Sequence, residues 1–216
     1  GSSAVTLNNA NITTGTIPAA GITGTLGSGV TISTLGLVFL GSKTTSTATA
    51  QLEFKHNVAA TGGTPDFSST YCAHLFIVEN YRPATDGGQM RCRYSTDGGN
   101  NYVSSGYDGF SDHGNTSLGT NLNSTDSFRM GTSVQGGSYA TEGWSGQCWL
   151  YGSSNVKSHL FHFSGFHQTG ASNFYAIRGW YWNTAPGSPV DIDAIKFYFH
   201  SGNINSGTVR MYGLKA

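Results

Sequence analysis

From residue 37 onward, runs of five to nine residues rich in Phe, Tyr, Val, Ile and Thr alternate with clusters of Gly, Asn, Asp and Ser. Such runs predict strands, because branched and aromatic side chains pack well on a pleated surface while Gly, Asn and Asp close turns. About ten strands are expected, near 37–41, 49–57, 71–81, 89–95, 126–131, 146–152, 158–164, 174–182, 193–200 and 207–213. Period-two alternation is clearest in two of them. Ile195, Phe197 and Phe199 point one way and Lys196, Tyr198 and His200 the other; Leu52, Phe54 and His56 oppose Gln51, Glu53 and Lys55. The 71–81 run is apolar on both faces, as in a central strand or one covered by another subunit. No segment shows a convincing helical period. The expected class is therefore all-β, an antiparallel β-sandwich over residues 37–216. Polar stretches at 58–70, 102–125, 132–145 and 183–190 are expected as long loops, which is where binding concentrates.

Residues 4–35 have a different texture, with no charge and no aromatic. Single aliphatics, among them Ile12, Ile17, Ile22, Leu26 and Val30, recur at intervals of four to six positions in a Gly/Thr/Ser background, within an imperfect repeat of about ten residues. So few apolar side chains cannot form a core of their own. Two readings are open: a flexible linker, or an extended stem (residues 1–36) wound with identical chains around a threefold axis. Regular spacing of the aliphatics favours the stem, since a spacer has no use for them.

Composition narrows the function classes. The 216 residues hold 11 Lys+Arg and 11 Asp+Glu, so the chain has no net charge to attract phosphate backbones or anionic lipid, and no nucleic-acid partner is expected. No apolar run is long enough to cross a bilayer, and no membrane insertion is expected. Nearly half of the residues are Gly, Ser, Thr or Asn, while 12 Phe, 11 Tyr and 4 Trp exclude a chain that stays unfolded. A neutral, hydroxyl-rich surface suits an extracellular or virion protein. No signal peptide is recognised, and Gly1-Ser2 reads as a tag remnant. Cys72, Cys92 and Cys148 lie in strand-like runs without metal-site spacing and are expected as buried free thiols.

Candidate chemistry is sparse. Ser95-Thr96-Asp97-Gly98-Gly99-Asn100-Asn101-Tyr102 resembles the Asp-box turn of sialidases, a structural device in which Asp97 accepts backbone N–H bonds, Gly99 takes positive φ and Tyr102 pins the turn to the sheet. Glycoside hydrolysis would require two facing carboxylates. Asp191, Asp193 and Glu142 are the acids to consider for it, but Asp191 and Asp193 read more simply as a turn at a strand start. His159 and His162, three apart on a strand, face opposite ways and make no metal site. No Gly-x-Ser-x-Gly elbow or nucleotide-binding loop occurs. No enzyme activity, metal or cofactor is expected. Planar aromatics beside hydroxyl and amide groups suit sugar faces, which makes Tyr107, Tyr139, Trp144, Trp180 and Trp182 the candidate ligand-binding residues.

A resemblance adds to this reading. Thr16-Ile17-Pro18-Ala19-Ala20 and Gly24-Thr25-Leu26 in the stem, Ile192-Asp193-Ala194-Ile195-Lys196-Phe197-Tyr198-Phe199, and Ser206-Gly207-Thr208-Val209-Arg210-Met211-Tyr212-Gly213-Leu214-Lys215 at the end are similar to the C-terminal modules of bacteriophage tail-fibre and related virion proteins. The stretch from Gln89 to Tyr107, with its Asp-Gly-Gly turn, resembles them as well. The resemblance implies a homotrimer made in the host cytoplasm and displayed on a virion. It further implies a jelly-roll-like β-sandwich head, a host-surface receptor such as a glycan or a protein, and other virion proteins at the N-terminal end. It carries no catalytic residues. A purely structural head fibre or tail adaptor and a carbohydrate-binding module are the alternatives.

Overall fold

A computed structural model describes residues 36–113, 120–130, 142–154, 158–169, 173–184 and 190–215. The stem positions Ile12, Ile17, Ile22, Leu26 and Val30, and Tyr139, lie outside the described residues. Every regular element among the described residues is a strand. In chain order they are β1 (Leu37–Thr45), β2 (Gln51–Lys55), β3 (Tyr71–Pro83), β4 (Met90–Ser95), β5 (Tyr107–His113) and β6 (Thr120–Thr125). There follow β7 (Phe128–Arg129), β8 (Gly143–Tyr151), β9 (Ser158–Thr169), β10 (Asn173–Thr184), β11 (Ala194–Phe199) and β12 (Ile204–Lys215).

The strands form two antiparallel sheets, one of eight in the order β1-β12-β3-β8-β9-β10-β5-β6 and one of four in the order β2-β11-β4-β7. The chain changes sheet at almost every step, with two exceptions. β5 and β6 stay together at one edge of the large sheet, and β9 and β10 follow β8 within it. Strand β12 slots between β1 and β3, so the C-terminal run closes the sheet next to its first strand.

The alternation read from the sequence holds. Leu52 and Phe54 on β2, and Ile195, Phe197 and Phe199 on β11, turn inward and are buried, with Glu53, Lys196 and Tyr198 outward. From the large sheet Phe76, Cys148, Phe161, Phe163 and Tyr181 meet them. The rings pack edge-on or tilted, Phe76 to Phe197 at 5.3 Å and Phe128 to Tyr181 at 4.7 Å, the arrangement favoured by their quadrupoles. Tyr81 ties the layers together by donating its hydroxyl to the Phe197 carbonyl at 2.8 Å.

Three expectations require correction. Twelve strands are present where about ten were expected, because β5 and β6 lie in a stretch that reads as loop. Their sequences, YDGFSDH and TNLNST, are poor in strand formers, and pairing of β5 with β10 holds them in the sheet instead. Gly109 is needed there, since a Cβ at that position would lie 2.6 Å from the Tyr181 ring. The 132–145 stretch likewise already belongs to β8 from Gly143. Finally, Cys92 and Cys148 are buried free thiols but Cys72 is exposed, at the start of β3 where the register with β12 shifts between Leu214 and Lys215.

Candidate functional site on the outward face of the large sheet

Side chains opposite one another in paired strands share a face, so the registers of the large sheet define rows across its outer surface. One row runs Phe39, Tyr212, Leu75, Trp149, His162, Trp180 and Phe110, crossing seven strands. The row beside it runs Leu37, Leu214, Ala73, Tyr151, Leu160 and Trp182. Seven strands about 4.8 Å apart make this apolar band about 30 Å long. Ring contacts join it locally: Phe39 to Tyr212 at 5.4 Å, Trp149 stacked on Tyr151 at 6.0 Å, and Phe110 stacked on Trp180 at 5.3 Å. In the middle Leu75 and Ala73 are buried among larger neighbours, while towards β9 and β10 the band opens. Trp180 and Trp182 are each 41% exposed, and Phe166, beyond the rows, is 52% exposed. Next to the band the row Arg178, Ser164, Gln147, Ile77 and Arg210 turns polar. A shallow groove of about 620 Å³ lies there between Ile77, Gln147, Ser164 and Phe166. Contiguous apolar surface on this scale marks a place where a soluble protein meets something else.

The structure separates the five candidate ligand residues. Trp180 and Trp182 sit side by side in the band. Tyr107 and Trp144 are corrections: both are wholly buried, on the inner faces of β5 and β8. Tyr107 donates its hydroxyl to the Val103 carbonyl and accepts from the Tyr94 N–H, and Trp144 packs on His167 at 4.6 Å. Neither offers a ring face to a ligand, because one residue of strand parity decides between core and surface. Phe110, Trp149, Tyr151, Leu160 and His162 were not singled out from the sequence. In 158–164 and 174–182 both parities carry rings, and which of them faces outward depends on the location of the small sheet.

The turn after β4 has the geometry expected of its motif. Ser95 Oγ accepts from the N–H groups of Asp97 and Gly99 at 3.1 and 2.9 Å, and Asp97 Oδ1 accepts from the Asn101 N–H at 2.8 Å. Gly98 and Gly99 take φ of 75° and 77°, and Tyr102 donates its hydroxyl to Glu53 Oε1 at 2.8 Å, which ties the turn to β2. Hydrogen bonds from Asn101 and Ser95 hold the Asp97 carboxyl at about 2, below its usual 3.8. Of the acids considered for hydrolysis, Glu142 is buried, while Asp191 and Asp193 line a cleft to which Glu142 does not contribute. His159 is buried facing the core and His162 lies in the outward band, so the two do face opposite ways. Among the described residues no three His, Cys, Asp or Glu side chains converge as a metal site requires. No family model, no curated protein and no solved structure matches the chain.

Proposed function

We propose that the chain is a homotrimeric, tail-fibre-like virion appendage whose head binds a host-surface glycan. The carrying observation is the aromatic band, and above all the neighbouring rings of Trp180, Trp182 and Phe110 on strands β10 and β5. Setting β5–β6 and β9–β10 aside, the remaining eight strands have the orders β1-β12-β3-β8 and β2-β11-β4-β7, which match the two four-stranded sheets of a jelly roll. The open aromatics therefore lie on strands added to that frame. Flat rings beside His162, Arg178 and Asp108 combine an apolar platform with hydrogen-bonding groups, the combination a sugar's C–H face and hydroxyls require.

The opposite end of the band serves the assembly. Leu37 and Phe39 are exposed on the first residues of β1, and the uncharged segment with isolated aliphatics joins the head there. In this proposal the N-terminal segment trimerises, and the Trp180 end of the band takes the ligand. On this reading the ligand meets the sheet face rather than the loops at 102–125 and 132–145.

Light scattering and a glycan array test the proposal together. The chain should measure as three times 22.8 kDa and bind a restricted set of glycans. Trp180→Ala and Trp182→Ala should each lose at least tenfold in binding while the chain stays folded, at a stability cost of about 1–2 kcal/mol for half-exposed rings that pack on their neighbours. A trimer that binds no glycan would instead be a structural head fibre or adaptor, and a glycan-binding monomer a carbohydrate-binding module.

A further inference from the structure

Two imidazoles grip one short segment between β2 and β3. Pro65, Asp66 and Phe67 form no strand there, and the Phe67 ring enters the core at 2% exposure. Ser68, next along, belongs to the wall of the cleft that His56 also lines. From one side His74 Nε2 donates to the Asp66 carbonyl at 2.7 Å, which puts the proton of the neutral ring on Nε2. From the other side the Phe67 N–H donates to His56 Nδ1 at 3.1 Å, and that nitrogen accepts only while it carries no proton. Both bonds therefore belong to neutral histidines.

A proton turns each ring against the segment in its own way. His74 is wholly buried, its ring 5.1 Å from that of Phe67 and 5.7 Å from that of Tyr71. Its Nδ1 is buried without a hydrogen-bond partner, so the imidazolium would place a charged N–H where nothing receives it. Beside it β12 and β8 bring Gly213 and Leu150, neither of which ionises. Burial lowers the His74 pKa, although the bond to the Asp66 carbonyl and the Asp66 charge both act to raise it. At His56 the effect is a change of partner. Asp66 Oδ1 lies 3.5 Å from His56 Nδ1 and accepts from the Ser68 N–H at 2.8 Å. A protonated Nδ1 no longer accepts from Phe67 and donates to Asp66 Oδ1 instead, which strips the Phe67 N–H of its acceptor and draws Asp66 from Ser68. Across the cleft the ionisable groups are Asp191 and Asp193. Once Phe67 leaves the core, water reaches His74 Nδ1, and the open arrangement tolerates the charge that the closed one does not.

We propose that His56 and His74 form an acid-sensitive latch on residues 64–70: with both rings neutral Phe67 stays seated in the core, and with both protonated the segment swings out and takes one wall of the cleft with it. The latch requires no ligand and stands apart from the glycan reading. Nuclear magnetic resonance of the full chain, with its Phe and His rings carbon-13 labelled, tests it between about pH 7.5 and about pH 5. Phe67 should move towards the signals of an unfolded chain as the His56 and His74 rings titrate, while Phe161 and Phe197 hold theirs. The open fraction should rise at least about tenfold, the equivalent of one pH unit of linkage. His74→Gln keeps a donor near the Nε2 position and His56→Asn an acceptor near the Nδ1 position, and neither gains a proton there. Each single variant should reduce the rise and the two together should abolish it; if the double variant does not fold, the single variants decide. The latch is overturned if Phe67 stays closed at about pH 5, if the variants open as the parent chain does, or if Phe161 is lost at the same pH as Phe67, since that is global unfolding.

Discussion

The two outer faces of this sandwich differ sharply. On the small sheet the rows Glu53–Lys196–Arg93 and Gln51–Tyr198–Arg91–Arg129 are polar and linked to one another. Asp126 sits among three arginines, with Arg91 at 2.9 Å, Arg93 at 2.8 Å and Arg129 at 3.3 Å. Lys196 lies 4.3 Å from the Tyr102 ring centroid and donates to Gln51 Oε1 at 3.1 Å. Burial is the largest single influence and raises the Asp126 carboxyl, but Arg91, Arg93 and a hydrogen bond from Ser127 together outweigh it and its pKa is lowered. This face pairs its charged groups with one another, although Arg129 Nε and the Tyr198 hydroxyl are buried without a hydrogen-bond partner. The outward face of the large sheet does the reverse: its aromatics find partial cover in each other and leave rings open. A surface that completes itself is structural, whereas one that stays unfinished is where a partner or ligand fits.

Breaking the layer that both faces share should have the largest effect. Phe161→Ala removes a wholly buried ring that touches Phe128 and Tyr94, and should cost about 3–5 kcal/mol in urea unfolding. Both faces would be lost together. Next comes Asp126→Asn, which leaves the three arginines without their counter-ion. Because Asp126 is 39% exposed, solvent screening limits the loss to about 1–2 kcal/mol. Added salt should narrow the gap between variant and parent, and the aromatic face should keep whatever binding it has.

The smallest effect is on pH dependence. Burial lowers the pKa of His74 and His159 in the folded chain, so below about 6.5 the unfolded chain binds more protons than the folded one. Stability should be full above that value and fall as the pH drops towards 5, with a shallower slope in His74→Gln. A further loss should follow at lower pH. The contribution of Asp97 is complete above 3.8 and disappears as the pH falls through about 2. Urea midpoints measured across the range check both steps.

Much of the frame could be read from residue order. In β2 and β11 aliphatic or aromatic residues alternate with charged or polar ones, so the pattern alone sets which side is buried. The motif turn was equally legible, since Ser95, Asp97, Gly99 and Tyr102 act within a few residues of one another. In β9 and β10 both parities carry rings: Phe161 and Tyr181 on one, His162, Trp180 and Trp182 on the other. Nothing local separates them there; Trp144 and Tyr107 read as surface and Phe110 passed unnoticed because 132–145 and 102–125 read as loops rather than as parts of β8 and β5. The cleft shows the same limit, because the Gly98 and His56 N–H groups that hold Asp193 lie far away in the chain.

By itself the chain's residue order determined the all-β class, the main strands, the polar and apolar sides of β2 and β11, and a formal net charge of zero. These follow from short-range periodicity and from composition, which need no knowledge of the neighbouring layer. Tertiary structure alone decided that β5 and β6 are strands, that Trp180 and Trp182 stand open while Trp144 and Tyr107 fill the core, and that Asp193 faces a cleft. Each depends on which strand or sheet lies opposite, and that pairing is fixed by contacts between residues distant in the chain.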